Sequence, residues 1–438
     1  MIFSTKIILL SLILPALILA KSREKSDEII MDGGKKNFSM DTLPNCTEKH
    51  DDMNQSSPRP IGLPPCKPPF EHHPRRVGEG LQNNFYFTNN LGKDLKINYE
   101  TFIRPLIVDF NCLENQNNGK NCTYPVSVAI PDGYPQISNE FIEIKFILDI
   151  SENRDFWLFK NVNNSTDLIA TRGFNRSQSN IKNVEMPADW KAFKKDWKNG
   201  KYFKCTPILE RPKYTRRSIP IKFLDRLVEF SNLLEKHNAT AFLMGGTLLG
   251  WARECSLIPH TTDTDVGIFR DDHSDSLLRE ILTSKIFEIH WVLGRLKNSF
   301  ELSVYVDGNK IDLFYLYKAT NSTENASIGG MRHLIKQRLR WNYPKLSGEI
   351  CAAEMHGRLF HVLCDYYKIV ESDYGKEEWK KDHHTSNFAW DKSNKNKESM
   401  EIYTEAEWPN VYLYVGNKND RFDSKKVDEW IKNINKTL

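Results

Sequence analysis

Between Thr240 and Phe269 the chain reads TAFLMGGTLLGWARECSLIPHTTDTDVGIF. A short apolar run stops at Gly245 and Gly246, and TLLGWAREC has the composition of a short helix. A second apolar run, VGIF, then starts directly after Asp263 and Asp265. A buried strand, a glycine turn, a helix and another buried strand in so short a span favour helices layered on a sheet over a helical bundle. The flanks agree. Ile221, Leu224, Leu227, Val228 and Leu234 recur at helical spacing after Pro220, and SDSLLREILTSKIF reads as another helix. ELSVYVDGNKIDLFYLY reads as a hairpin turning at Asp307, Gly308 and Asn309. Residues 216–438 are therefore expected to form an α/β catalytic domain, a mixed sheet flanked by helices.

The preceding half has a different grain. From residue 81 to 215, stretches such as YPVSVAI, FIEIKFILDI and DFWLFKNV are separated by Gly, Pro and Asn turns, which predicts a strand-rich accessory domain. In FIEIKFILDI, Ile142, Ile144 and Phe146 alternate with Glu143 and Lys145. The basic, aromatic segment DWKAFKKDWKNGKYFKC fits a solvated helix that buries Trp190, Phe193 and Trp197 better than an anion site. Residues 21–80 are polar and then Pro-rich, with few apolar side chains to bury, and read as a stem or linker. The apolar run from Ile7 to Ala20 behind Lys6 reads as an export signal, equally suited to a cleaved signal peptide and to a retained anchor.

Asn-x-Ser/Thr acceptors at Asn37, Asn45, Asn54, Asn121, Asn163, Asn164, Asn175, Asn238, Asn321, Asn325 and Asn435 suit a lumenal chain. Eight cysteines contain no C-x-x-C pair, which favours disulfides over zinc. Nearest-neighbour pairing would join Cys112 to Cys122 and Cys351 to Cys364, and Cys46 or Cys66 could pin part of the stem. With 61 basic and 57 acidic residues scattered evenly, nothing marks a nucleic-acid-binding face.

Candidate chemistry centres on carboxylates. Asp263 and Asp265, two apart on a strand, project from the same face about 6–7 Å apart and can share one divalent cation, although a D-x-D pair is also an ordinary strand end. Asp312 stands likewise before an apolar run, and three carboxylates converge if the two strands are neighbours. Such a cluster repels itself unless neutralised, and its hard oxygens suit Mg²⁺ or Mn²⁺ with substrate phosphates completing the shell. Gly245 and Gly246 permit a tight turn, with Thr247 opening a helix whose free N–H groups can face a phosphate. No lysine follows, as it would in a Walker loop. Arg253 and His260 fall between the two motifs, where phosphate contacts and structural pairing are both open. In HGRLFHVLCDYY, His356 and His361 fall on opposite faces of a strand and read as structural. QRLRWNYPK could stack on a nucleotide, with Arg338 and Arg340 near its phosphates, or form a packed helix end.

GGTLLGWAREC, IPHTTDTDVGIF, GNKIDLFYLY and YGKEEW together resemble the fukutin and fukutin-related family and, more distantly, the LicD-type choline-phosphate transferases, over about Ile219 to Trp408. The resemblance implies a nucleotidyltransferase-like fold that moves a phospho-alditol or phosphocholine unit from a CDP-activated donor onto a glycan of a glycoprotein or glycolipid. It implies that Asp263, Asp265 and Asp312 are the metal carboxylates, and that Gly245, Gly246 and Thr247 form the phosphate-side turn. Arg253 matches the family's arginine. FAWDKSNKN keeps Trp390 and Asn394 but lacks the proline usual there. The implied setting is the Golgi membrane, as a single-pass type II protein with a lumenal catalytic domain, or the ER lumen or exterior after cleavage. Two other readings stay open, a sugar-nucleotide glycosyltransferase and an inactive glycan-binding or scaffold protein.

Overall fold

The protein is described from a computed structural model that covers residues 83–88, 94–99, 106–120, 122, 126–131, 142–149, 154–161, 167–179, 184–212, 215–318, 326–382, 388–414 and 428–432. The export segment, the stem with Cys46 and Cys66, and most of the acceptor asparagines lie outside the described residues. So do the side chains of 142–149, and with them the expected alternation there.

The accessory region is built on a seven-stranded mixed sheet. The neighbouring strands run, in spatial order, Leu168–Arg172, Phe156–Asn161, Ile142–Asp149, Val126–Pro131, Leu106–Ile107, Glu185–Pro187 and Arg176–Gln178. The helix Trp190–Lys198, capped by Asp189, buries Phe193 against Phe110, Phe159 and Phe174, while Trp190 and Trp197 pack at its edge. This is the solvated amphipathic helix that its spacing predicts.

The catalytic region is organised by a six-stranded sheet whose strands, in chain order, are β1 (Phe242–Leu243), β2 (Asp263–Phe269), β3 (Glu288–Leu293), β4 (Glu301–Val306), β5 (Asn309–Leu316) and β6 (Tyr412–Tyr414). Their spatial order is β1-β2-β5-β4-β3-β6. Only β2 and β5 run parallel, and Asp307 and Gly308, both at positive φ, close the β4–β5 hairpin. Helices α1 (Leu224–Lys236), α2 (Gly245–Glu254), α3 (Asp275–Thr283) and α4 (Tyr366–Tyr374) flank the sheet. In α1, Leu224, Leu227, Phe230 and Leu234 point into the core; in α3, Leu277, Leu278, Ile281 and Leu282 do so. Two smaller sheets complete the region. One joins Ala326–Arg332, Gln337–Tyr343 and Lys397–Ile402, and the other joins Tyr202–Phe203, Ile350–Met355 and Arg358–Leu363.

The two regions share a polar joint. Arg172 pairs with Glu235 at 2.6 Å, Arg154 with Glu354 at 3.1 Å, and the Leu359 N–H donates to Asp155 at 2.8 Å. Cys112–Cys122 and Cys351–Cys364 are bonded as nearest-neighbour pairing expects. A third bond, Cys205–Cys255, ties the segment entering the catalytic region to the residue that ends α2. Among the described residues no helix is long and apolar enough to cross a membrane.

Candidate active site

Sheet register assembles the carboxylates. In the parallel β2–β5 pair, Asp265 lies opposite Asp312 and Asp263 opposite Lys310; in the β4–β5 hairpin, Ser303 lies opposite Asp312. Side chains two apart on a strand share a face, so Asp263, Asp265, Lys310, Asp312, Ser303 and Glu301 all stand on one side of the sheet. They form the acidic end of a cavity of about 540 Å³, into which Asp263, Asp265, Glu301, Lys310 and Asp312 all project.

The local contacts explain how that charge is held. Lys310 Nζ lies 3.2 Å from Asp263 and 2.9 Å from Asp312, over the Trp291 ring at 4.9 Å, and Ser303 Oγ donates to Asp312 at 2.5 Å. The Gly246 N–H donates to Asp265 Oδ2 at 2.7 Å. Burial, and then the charges of Asp263 and Asp312, push the Asp265 pKa well above the ordinary carboxylate value. Burial, followed by Asp312, does the same to Glu301. Burial also raises Asp312, against the opposing pull of Lys310 and Ser303. For Lys310, burial disfavours the charge, but Asp312 and Asp263 outweigh it and hold the ammonium above its usual pKa.

Four carboxyl groups face one ammonium, and their hard oxygens are the donor type that Mg²⁺ and Mn²⁺ take. As the side chains stand, no three His, Cys, Asp or Glu groups among the described residues are arranged to hold a metal ion. The physical reason is that Lys310 stands between Asp263 and Asp312 while Asp265 is turned toward Gly246. The donor set thus fits a dication once the ammonium moves aside.

The glycine turn works through Asp265. Gly245 has φ +48, and a Cβ there would lie 2.7 Å from Asp265 Oδ2, so only glycine lets α2 start this close to the carboxylate. The helix opens at Gly245, two residues before Thr247. The buried Thr247 hydroxyl accepts from the Asp265 N–H at 2.7 Å and so joins helix to strand. Arg253 lines the cavity, but its guanidinium donates to Glu254 at 2.6 Å and to the Lys381 carbonyl at 2.7 Å. Arg211 clamps the same Glu254, at 2.9 and 3.0 Å, so the structural pairing left open for Arg253 is the arrangement found. His260 lies on the cavity wall.

The other end of the cavity is aromatic. Trp341, Tyr343, Tyr374, Trp379, Phe388 and Trp390 surround Asn394 and the buried Asp373, whose carboxyl burial pushes up to about 7. Asn396 Nδ2 donates to Asp373 at 2.8 Å. QRLRWNYPK is a strand, Gln337–Tyr343, not a helix end. Its alternation sends Trp341 and Tyr343 into the cavity and Arg338 and Arg340 away from it, onto Glu401 and Glu398. His356 also departs from expectation. It sits at positive φ in the turn before Arg358–Leu363, 2.7 Å from Ser256 Oγ, while His361 is buried beside Glu235.

Residues 238–345 match the family described as LicD/FKTN/FKRP, nucleotidyltransferase domain. The stretch from β1 through the strand Gln337–Tyr343 is thus similar to that family. Residues 92–204 match another family, described as W02B3.4-like, N-terminal domain. The chain is 32% identical to the uncharacterized protein T07A5.1 of Caenorhabditis elegans over 240 residues, 53% of this chain and 62% of the relative. To the uncharacterized protein W02B3.4 of the same organism it is 31% identical over 246 residues, 53% and 61% of the two chains. It is 30% identical to the ribitol-5-phosphate transferase FKTN of Homo sapiens over 179 residues, 41% of this chain and 37% of that protein. The matches therefore span less than two thirds of each relative. The LicD/FKTN/FKRP match encloses Gly245, Gly246, Asp263, Asp265, Lys310 and Asp312, whereas Asp373, Trp390 and Asn394 lie beyond it.

Two site residues escape motif reasoning. Lys310 is two residues before Asp312, so strand periodicity alone places it on the same face. Glu301 begins β4 directly after the buried Phe300, and only the hairpin register brings it into the cavity.

Proposed function

We propose that the chain is a metal-dependent transferase that moves a phospho-alditol unit, of the ribitol-phosphate kind, from a CDP-activated donor onto a glycan. The observation that carries this reading is the in-register pairing of Asp312 with Asp265, which the Gly245–Gly246 turn contacts, with Asp263 on the same face. A phosphocholine unit would use the same acidic end, and the named human relative favours the alditol. The proposed setting is the Golgi lumen.

Asp263, Asp265 and Asp312 would hold Mg²⁺ or Mn²⁺, which when bound supplies charge neutralisation to the donor diphosphate. The aromatic end takes the nucleoside, leaving the diphosphate over the carboxylates. Lys310, free to turn from Asp312 toward a phosphate oxygen, contributes a further positive charge. The acceptor hydroxyl attacks the phosphorus bearing the alditol, its proton passes to the Asp312 carboxylate, and the bond to the CMP oxygen breaks.

The test is Mn²⁺-dependent CMP release from CDP-ribitol with a glycan acceptor by the full chain and by Asp265→Asn. Turnover should be lost in the variant while its circular dichroism is unchanged. Retained turnover would remove Asp265 from the site, and UDP release from a sugar nucleotide would point instead to a glycosyltransferase.

A further inference from the structure

The face of the sheet that carries the carboxylates does not end with them. The row of in-register partners that starts Asp265, Asp312, Ser303 continues through Trp291 on β3 to Tyr414 on β6. Tyr305 and Tyr412 stand on the same face. A register shift between Ile289 and Trp291 inserts His290, whose ring lies 4.2 Å from Trp291, 4.9 Å from Tyr305 and 5.4 Å from Tyr414. A bulge beside an active site commonly re-aims a side chain in this way. One sheet face thus grades from acid to aromatic, and Trp291 and Tyr412 line the catalytic cavity itself.

Three features say what would lie there. Tyr305 and Tyr414 are 36% and 54% exposed, so the rings are open to a ligand. Every ring on the strip carries a polar atom, and the aliphatic side chains packed against Trp291 and Tyr412, those of Leu293, Met331 and Val411, are buried. At the exposed end a lipid or an apolar helix would meet the hydroxyl-tipped rings of Tyr305 and Tyr414, whereas a sugar ring offers one C–H face to stack and hydroxyls at its rim. The Trp291 indole N–H is buried and has no acceptor among the described residues, a donor waiting for a ligand oxygen.

We propose that Trp291, His290, Tyr305 and Tyr414 form the platform on which the acceptor glycan lies, with its reactive hydroxyl delivered to Asp312. The inference rests on the transferase reading for its direction and on the aromatic strip for its chemistry. From Asp312 to Tyr414 there are three strand spacings, about 14 Å, the reach of a short oligosaccharide.

The experiment measures binding of a panel of neutral trisaccharides of hexose and N-acetylhexosamine to the full chain, by calorimetry and saturation-transfer NMR. Tyr305→Leu and Tyr414→Leu keep apolar bulk but remove the stacking ring, while Tyr305→Phe and Tyr414→Phe keep the ring. Each Leu variant should weaken the best trisaccharide about tenfold and each Phe variant less than threefold, with unchanged melting midpoints. Failure of every trisaccharide to bind, or equal binding by Leu and Phe variants, overturns the platform. Binding to neutral phosphatidylcholine vesicles that is lost in the variants would overturn it in favour of a lipid surface. Mn²⁺-dependent CDP binding, measured separately on Asp265→Asn, reports on the transferase reading whatever the trisaccharides do.

Discussion

Replacing Lys310 with methionine removes the ammonium facing four carboxylates while keeping nearly the same bulk. At 2.9 and 3.2 Å, its contacts with Asp312 and Asp263 are each worth about 5–6 kcal/mol at an effective dielectric of about 20. Returning the ammonium to water in the reference state offsets part of this, and losing one partner of a buried pair leaves a net cost of about 3–5 kcal/mol. A domain of this size should lose about 6–20 °C in melting midpoint. The pH dependence has a definite sign. The raised pKa values of Asp265, Glu301 and Asp312 mean that the folded chain keeps protons which the unfolded chain has released, so these groups oppose folding more as pH rises. Lys310 stays charged throughout that range, so the gap between wild type and variant should widen from about pH 5 to about pH 8. A divalent cation replaces the lost charge without first displacing lysine. Mn²⁺ should therefore raise the variant's midpoint more than the wild type's, the variant itself gaining about 2.7 kcal/mol at a hundredfold excess over its Kd. Scanning fluorimetry of both proteins over pH, with and without Mn²⁺, checks each part. Midpoints within 2 °C of each other at about pH 8, or equal Mn²⁺ effects, would refute the idea that Lys310 is the internal counter-ion of this cluster.

Two further perturbations probe the scaffold. Gly245→Ala should cost about 1–2 kcal/mol of backbone strain and lower Mn²⁺ affinity about 10–100-fold, because the added methyl meets Asp265 Oδ2; a titration with unchanged affinity would contradict this. Cys205→Ser combined with Cys255→Ser opens a loop with a separation of 50 residues and should cost about 4 kcal/mol, read as a lower denaturation midpoint under oxidising conditions that equals wild type plus reductant if this bond dominates.

The carboxylate triad could be read from strand periodicity because Asp263, Asp265 and Asp312 each adjoin an apolar run that had to be a strand. Pairing β2 with β5 in parallel could not, since the chain between them passes through α3, β3 and β4 before returning, and nothing local fixes their register. Cys205–Cys255 was equally hidden. Its partners are far apart in sequence, and nearest-neighbour logic has no reason to join a chain entering the catalytic region to the end of α2.

The β4–β5 hairpin is the instructive intermediate case. Assigning Asp307, Gly308 and Asn309 all to the turn leaves the register free, whereas the structure uses a two-residue turn and pairs Val306 with Asn309. From that single pair, strict alternation sets Ser303 opposite Asp312 and Glu301 opposite Phe314, and puts Lys310 on the carboxylate face. The Asp-Gly dipeptide, among the strongest short signals for such a turn, therefore carried the information for the fourth acid and the counter-ion. His290 obeys no such rule, because a bulge breaks the alternation that would have turned its ring away from Trp291. The acidic half of the sheet face and Tyr305 follow from regular strand geometry, whereas His290 and its contact with Trp291 follow from a departure from it.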